Sequence, residues 1–231
     1  MQFTSYDHAI FKTIEAIRTK RKEQDEVISL VDYGAGAPEA TRSQEEMYQG
    51  VTKEATIAQL SSIGLKGEWA QRLYALVQKH RPQKVLELGT CCGFSAIYMA
   101  KGCRESMVYT IEGDANVAKL AQENIEEAGC ENITQYVGRF QDVLPALLEA
   151  FLQIDLAFID GHHDKEATLQ YLEMLKPYLS PKAVVVFDDI SWSEGMREAW
   201  DKIGSDSFFE RCVDMKKLGI CFVKGEMDDL V

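Results

Sequence analysis

From residue 82 onward, short apolar blocks alternate with segments of helical spacing. The blocks at 84–88, 107–112, 133–137, 154–160 and 183–188 read as strands, and 94–100, 116–128, 143–151 and 165–178 read as helices between them. Leu156-Ala157-Phe158-Ile159 and Val184-Val185-Val186-Phe187 are apolar at every position, the mark of strands covered on both faces. Such alternation predicts an α/β fold with a doubly wound, mostly parallel sheet. A helix over 196–203 then leads to two short strands, 207–213 and 219–223, joined by the turn Asp214-Met215-Lys216-Lys217-Leu218. That predicts a C-terminal antiparallel hairpin on the edge of a seven-stranded, Rossmann-like sheet. Before residue 82 the chain reads as mostly helical. Residues 8–21 place Ile10, Phe11, Ile14 and Ile17 at helical spacing, with Arg18, Lys20, Arg21 and Lys22 as a solvated basic face. Tyr33-Gly34-Ala35-Gly36-Ala37-Pro38 reads as a loop. Residues 1–60 are expected to be a helical extension serving as acceptor-site lid or oligomer contact, and 61–231 the main domain.

The 231 residues are 46% apolar, enough for a sizeable core. The formal net charge of −12 argues against broad binding to nucleic acid or anionic membranes. No apolar run is long enough to cross a bilayer. The opening Met-Gln-Phe-Thr-Ser-Tyr-Asp-His lacks the basic start and apolar core of a secretory signal, so a cytoplasmic location is expected. The six cysteines include no C-x-x-C pair and fit no zinc spacing, so they are expected to be reduced and mostly buried.

Ligands of open parallel sheets bind beyond the carboxyl ends of the strands, so the residues there carry the chemistry. The first strand runs into Glu87-Leu88-Gly89-Thr90-Cys91-Cys92-Gly93, a glycine-bearing turn before a helix. Glycines at such a corner let a nucleotide-like ligand approach the backbone. Glu87, two residues before the first glycine, would repel a phosphate and suits a cationic ligand such as S-adenosylmethionine (SAM). Glu112 ends the second strand, 23 residues after Gly89, where a carboxylate can accept hydrogen bonds from a ribose diol. Asp160, Asp188 and Asp189 follow the fourth and fifth strands. They either share one hard divalent cation or, for Asp188 and Asp189, cap the next helix. His162 is read as structural, and His163 as a general base near a substrate hydroxyl.

Together these segments resemble the class I SAM-dependent O-methyltransferases of the catechol and caffeoyl-CoA O-methyltransferase kind, over residues 61 to the C-terminus. The similarity rests on Val85–Ser95, Tyr109-Thr110-Ile111-Glu112, Gly138–Pro145, Phe158-Ile159-Asp160-Gly161 and Val186-Phe187-Asp188-Asp189, with Ser61-Ser62-Ile63-Gly64 like the loop that covers the methionine end of SAM. The resemblance implies that Ile63, Gly89, Gly93 and Ser95 line the methionine part. Glu112 with Gly113 would hold the ribose, and Gln141 the adenine. Asp160 would sit near the ligand's amino group and, in metal-dependent members, join Asp188 and Asp189 around Mg²⁺ or Ca²⁺. The base is a lysine in the catechol enzymes. Here His163 stands at that position and Lys165 lies two residues on. The carboxylate that holds a catechol has no clear match; Phe208 and Phe209 occupy its region, with Glu210 nearby. A small, phenolic acceptor and a homodimer are the expected partners. The alternatives are an NAD(P)-dependent oxidoreductase on a similar sheet, and a non-catalytic SAM-binding relative.

Overall fold

The computed structural model describes residues 2–38 and 40–225; the end of the expected main domain, 226–231, lies outside them. In chain order the elements are α1 (Ser5–Lys22), β1 (Val27–Asp32), β2 (Gly36–Ala37), β3 (Ala40–Thr41), α2 (Gln44–Gln49), β4 (Val51–Thr56), α3 (Ile57–Ser62), α4 (Gly67–His80), β5 (Lys84–Leu88), α5 (Phe94–Gly102), β6 (Met107–Glu112), α6 (Ala115–Glu127), β7 (Ile133–Val137), α7 (Phe140–Phe151), β8 (Ile154–Ile159), α8 (Lys165–Leu175), β9 (Leu179–Phe187), α9 (Glu194–Gly204), β10 (Phe209–Asp214) and β11 (Gly219–Val223). Among the described residues no helix is long and apolar enough to cross a membrane.

Seven strands form one sheet in the order β10-β11-β9-β8-β5-β6-β7. β9, β8, β5, β6 and β7 pair in parallel, and the β10–β11 hairpin joins antiparallel to β9. Successive strand residues face opposite sides, and both sides are apolar. Val85, Leu156, Phe158, Val184 and Val186 bury against α1, α4, α5 and α6. Leu86, Leu88, Ala157, Ile159, Val185 and Phe187 bury against α7, α8 and α9. The chain runs outward from β5 to β6 and β7, then returns to the other side of β5 as β8 and β9. The carboxyl ends of β5 and β8 therefore flank the crevice where the winding reverses.

The N-terminal part is less helical than expected. β1 and β4 form a two-stranded antiparallel sheet, Val27 opposite Thr56 through Asp32 opposite Val51, and β2 pairs with β3 in a small hairpin between them. Val51-Thr52-Lys53-Glu54-Ala55-Thr56 shows no apolar face: Thr52, Lys53 and Glu54 are exposed, and Ala55 alone packs on the core. α1 starts at a Thr4–Asp7 capping box and buries Phe11, Ile14 and Ile17 in the main core. Two cysteines also depart from expectation. Cys212 and Cys221, directly opposite across the β10–β11 hairpin, are joined as a disulfide; Cys91, Cys92, Cys103 and Cys130 are free. Cross-strand register, invisible in the spacing of cysteines along the chain, brings the two sulfurs together.

Arg18, read as part of a solvated face, is instead 1% exposed. Its guanidinium donates to the carbonyls of Leu65 (2.7 Å), Ser61 (3.3 Å) and Ile63 (3.4 Å), and lies 4.0 Å over the Phe94 ring. One side chain thus fixes the loop after α3. Arg18→Met leaves those buried carbonyls short of a donor, and we expect a loss of about 2–4 kcal/mol in urea-unfolding free energy.

Candidate active site

A cavity of about 450 Å³ opens over the carboxyl ends of β5, β6, β8 and β9. The sheet supplies its floor. Its opposite wall is residues 30–36, strung between β1 and the small hairpin. That segment is tied to the floor: Ala35 N–H donates to His162 O (2.7 Å), Val31 N–H to Asp114 Oδ2 (2.9 Å), and Asn116 Nδ2 to Ser29 O (2.8 Å). Gly113 makes room for it, since a Cβ there would lie 2.7 Å from the Tyr33 ring.

The floor carries two acidic corners. In the first, Glu87 is wholly buried in the middle of β5. Its Oε2 accepts from Thr110 (2.5 Å), while Oε1 has no partner. Burial pushes its pKa up to about 7, partly offset by the Ser95 and Thr110 hydroxyls beside it. Beyond it Gly89 has φ of +107°, and a Cβ there would stand 2.3 Å from the Asp160 carbonyl oxygen, so only glycine lets the two loops meet. Glu112 lines the cavity and accepts from the backbone N–H of Cys91 (2.8 Å) and Asp114 (3.1 Å). Burial raises its pKa to about 7 as well, against those backbone hydrogen bonds.

In the second corner Asp160, His163, Asp188, Asp189, Trp192 and Lys217 share the cavity. His163 Nε2 is 3.8 Å from Asp160 Oδ1, and its ring lies 5.9 Å from that of Trp192. Burial and the Asp188 charge push Asp160 well above the usual carboxylate range. Lys217 Nζ is 3.0 Å from Asp188 Oδ1 and 2.5 Å from Asp189 Oδ1.

A family model described as a methyltransferase domain matches residues 86–190, which run from this glycine turn through Asp189. The catechol O-methyltransferase of Niastella koreensis is 29% identical over 150 residues, 64% of this chain and 67% of that protein. The catechol O-methyltransferase of Mycobacterium tuberculosis is 32% identical over 135 residues, 58% of this chain and 60% of that protein. The matched stretch thus spans about two thirds or less of these relatives. Cofactor-bound Rv0187 from MTB superposes with a TM-score of 0.62 at 25% identity, over 71% of this chain and 83% of that one. The stretch from the glycine turn to Asp189 thus matches a methyltransferase domain, and the chain is similar to O-methyltransferases. A putative O-methyltransferase from Klebsiella pneumoniae shares the fold along 97% of this chain and 98% of its own, with a TM-score of 0.63 at 20% identity.

The SAM-dependent reading fits the first corner. An orphaned buried carboxylate oxygen suits a ligand cation, the glycine at 89 leaves a cradle, and Glu112 stands at a strand end facing the cavity. Of the residues expected to bind SAM, Ile63, Gly89, Glu112, Gly113 and Asp160 line the cavity. Glu87, Gly93, Ser95 and Gln141 stand behind its lining, and Arg139 and Phe140 occupy the wall near Gln141. Lys165 does not line the cavity; it pairs with Glu198 of α9, which raises its pKa. His162 packs against Phe140 and its Nδ1 lies 3.1 Å from the Tyr171 hydroxyl, a structural place despite its cavity edge. Glu210 is exposed and outside the cavity.

A divalent metal does not fit the second corner as it stands. Asp160, Asp188 and Asp189 are brought together, yet among the described residues no group of three His, Cys, Asp or Glu side chains has the geometry to hold an ion. The Lys217 ammonium already sits between two of them. Lys217, Asp32 and Lys53 were missed by sequence reasoning, while Tyr33 opens the segment read as a loop. Lys217 sits in a turn that reads as surface, and the other two come from the β1–β4 sheet, which the sequence does not announce.

Burial pushes the Glu87 pKa up to about 7, so the negative charge that would attract a cationic ligand is gained as pH rises. Its raised pKa places the change between pH 6 and 8. S-Adenosylhomocysteine affinity should therefore rise with pH across that window, by up to about tenfold, as read by titration calorimetry. Glu87→Gln should weaken binding and flatten the dependence.

Proposed function

We propose that this methyltransferase methylates one hydroxyl oxygen of a small aromatic acceptor, with His163 as the base. The observation that carries the reading is that one cavity joins the Gly89–Glu112 corner, with Glu87 behind it, to a half-buried histidine beside an aromatic ring. The names of the catechol O-methyltransferase relatives support an aromatic hydroxyl as acceptor.

Burial lowers the His163 pKa, against the pull of Asp189 and Asp188, so the imidazole is neutral at pH 7 and free to take a proton. The Asp189 and Asp188 charges steady the ring once it is charged. SAM, when bound, supplies an electrophilic methyl: the acceptor oxygen bonds to it as the carbon–sulfur bond breaks and the electron pair stays on sulfur, leaving S-adenosylhomocysteine. Trp192, beside His163, offers a flat wall for a planar acceptor. Residues 30–36 close the cavity against water and hold the nucleophile in line, which is the protein's main contribution to rate. The N-terminal 60 residues are thus read as an acceptor-site wall. With Glu210 outside the cavity, a second acceptor hydroxyl is not gripped from β10 as the resemblance implies.

A panel of phenolic acceptors, with S-adenosylhomocysteine formation as the readout, tests the reading; no product from any of them would sink it. His163→Ala should cut kcat by about a hundredfold or more while leaving S-adenosylhomocysteine affinity in place. Lys165→Ala should change kcat by less than about twofold.

A further inference from the structure

The second corner carries more than the methyl-transfer reading uses. The backbone around Lys217 is fixed from outside its own turn. Ile190 N–H donates to Lys217 O (3.1 Å), Ser191 Oγ donates to Lys216 O (2.6 Å), and Leu218 is fully buried. Gly219, two residues on, pairs with Phe187 at the end of β9, against the Trp200 ring. The side chain therefore leaves a tethered turn beside Asp188 and Asp189. Nζ approaches both Asp188 oxygens, at 3.0 and 3.2 Å, and Asp189 Oδ1 at 2.5 Å, while lining the same cavity as Asp160 and His163.

We propose that Lys217 is the resident cation of this active site, its ammonium standing between Asp188 and Asp189 in place of a divalent metal, so that methyl transfer proceeds without one. The proposal rests on the O-methyl-transfer reading above. A metal in such a site neutralises the acids and stabilises the acceptor oxygen as it loses its proton. A lysine ammonium supplies positive charge at the same place and carries three N–H donors. Its two carboxylate partners take up two of them, leaving one for an oxygen in the cavity. A divalent ion placed between the same carboxylates would meet the ammonium at close range and be repelled. In the step itself the acceptor proton passes to His163 Nε2, the ammonium keeps its three hydrogens, and the carbon–sulfur electron pair stays on sulfur. No further reactant is consumed.

Mn²⁺ binding, followed by electron paramagnetic resonance of the free ion, reads the site without turnover. We expect Lys217→Met to bind one Mn²⁺ at least tenfold more tightly than the wild-type chain, and Lys217→Met/Asp188→Asn to lose that gain. Wild-type turnover with a phenolic acceptor should stay within twofold in EDTA. Lys217→Met should lose at least tenfold in kcat with S-adenosylhomocysteine affinity kept. The proposal is overturned if the wild-type chain binds one Mn²⁺ tightly through Asp188, if EDTA abolishes its turnover and Mg²⁺ restores it, or if Lys217→Met turns over normally. Should Lys217→Met fail to fold by circular dichroism, the wild-type Mn²⁺ and EDTA measurements decide. A wild-type chain that binds S-adenosylhomocysteine but methylates no phenol removes the acceptor reading, and the Mn²⁺ titration then judges Lys217 alone.

Discussion

Carboxyl groups sunk into the carboxyl end of one sheet are the constraint around which this molecule is arranged. Glu87, Glu112, Asp160 and Asp188 stand on or just after four neighbouring strands. A buried carboxylate must be protonated, hydrogen-bonded or paired. Each of these meets the requirement differently. Glu87 shares a hydroxyl with Thr110 and keeps one oxygen unpartnered. Glu112 takes two backbone N–H groups. Asp188 takes its own neighbour's N–H and the Lys217 ammonium. Asp160 has no lysine or arginine within salt-bridge distance among the described residues, only the neutral His163 ring, and burial with the Asp188 charge pushes its pKa well up. The division of labour between a donor corner and an acceptor corner follows from these different solutions.

Two-sided burial of the sheet makes that arrangement affordable in stability. Apolar strands such as Val184-Val185-Val186-Phe187 lie between helices on both faces, so every strand end is held from above and below. The close contact of Gly89 with the Asp160 carbonyl then fixes the distance between the β5 and β8 loops, and with it the separation of the two corners.

Most of the sheet was legible in the sequence because its signal is local. The bounds of β5, β6 and β7 are those that hydrophobic blocks predict, and the C-terminal hairpin falls where the turn residues place it. β9 begins earlier than its apolar run, at Leu179, because Pro181 and Lys182 form an irregular entry with Lys182 at φ 68°. Glu112 and Asp160 were legible as strand ends. β4 was not, since its own residues are mostly exposed and the ribbon's buried contacts come chiefly from β1, through Leu30 and Ile28. Lys217 was not, since its role depends on which strand the hairpin joins. Arg18 read as solvated because a helix wheel does not show a carbonyl cluster contributed by a later loop. The place of Lys165 was not legible either, since closeness to His163 along the chain does not fix its side chain; the helix it opens turns it toward Glu198. The Cys212–Cys221 pair belongs with these: a covalent link set by strand register rather than by spacing.

The wall made by residues 30–36 touches the floor mainly through backbone atoms. Ala35 N–H, Val31 N–H and Ser29 O carry the ties, and the ring of Tyr33 rests on a glycine. Backbone ties are indifferent to the side chains strung along them. Mutational drift in this stretch can therefore re-shape what the cavity admits while the parts that hold the methyl donor stay as they are. On the proposed reading, selectivity and donor chemistry would be largely separable inheritances, stored in different segments and joined where Tyr33 rests on Gly113.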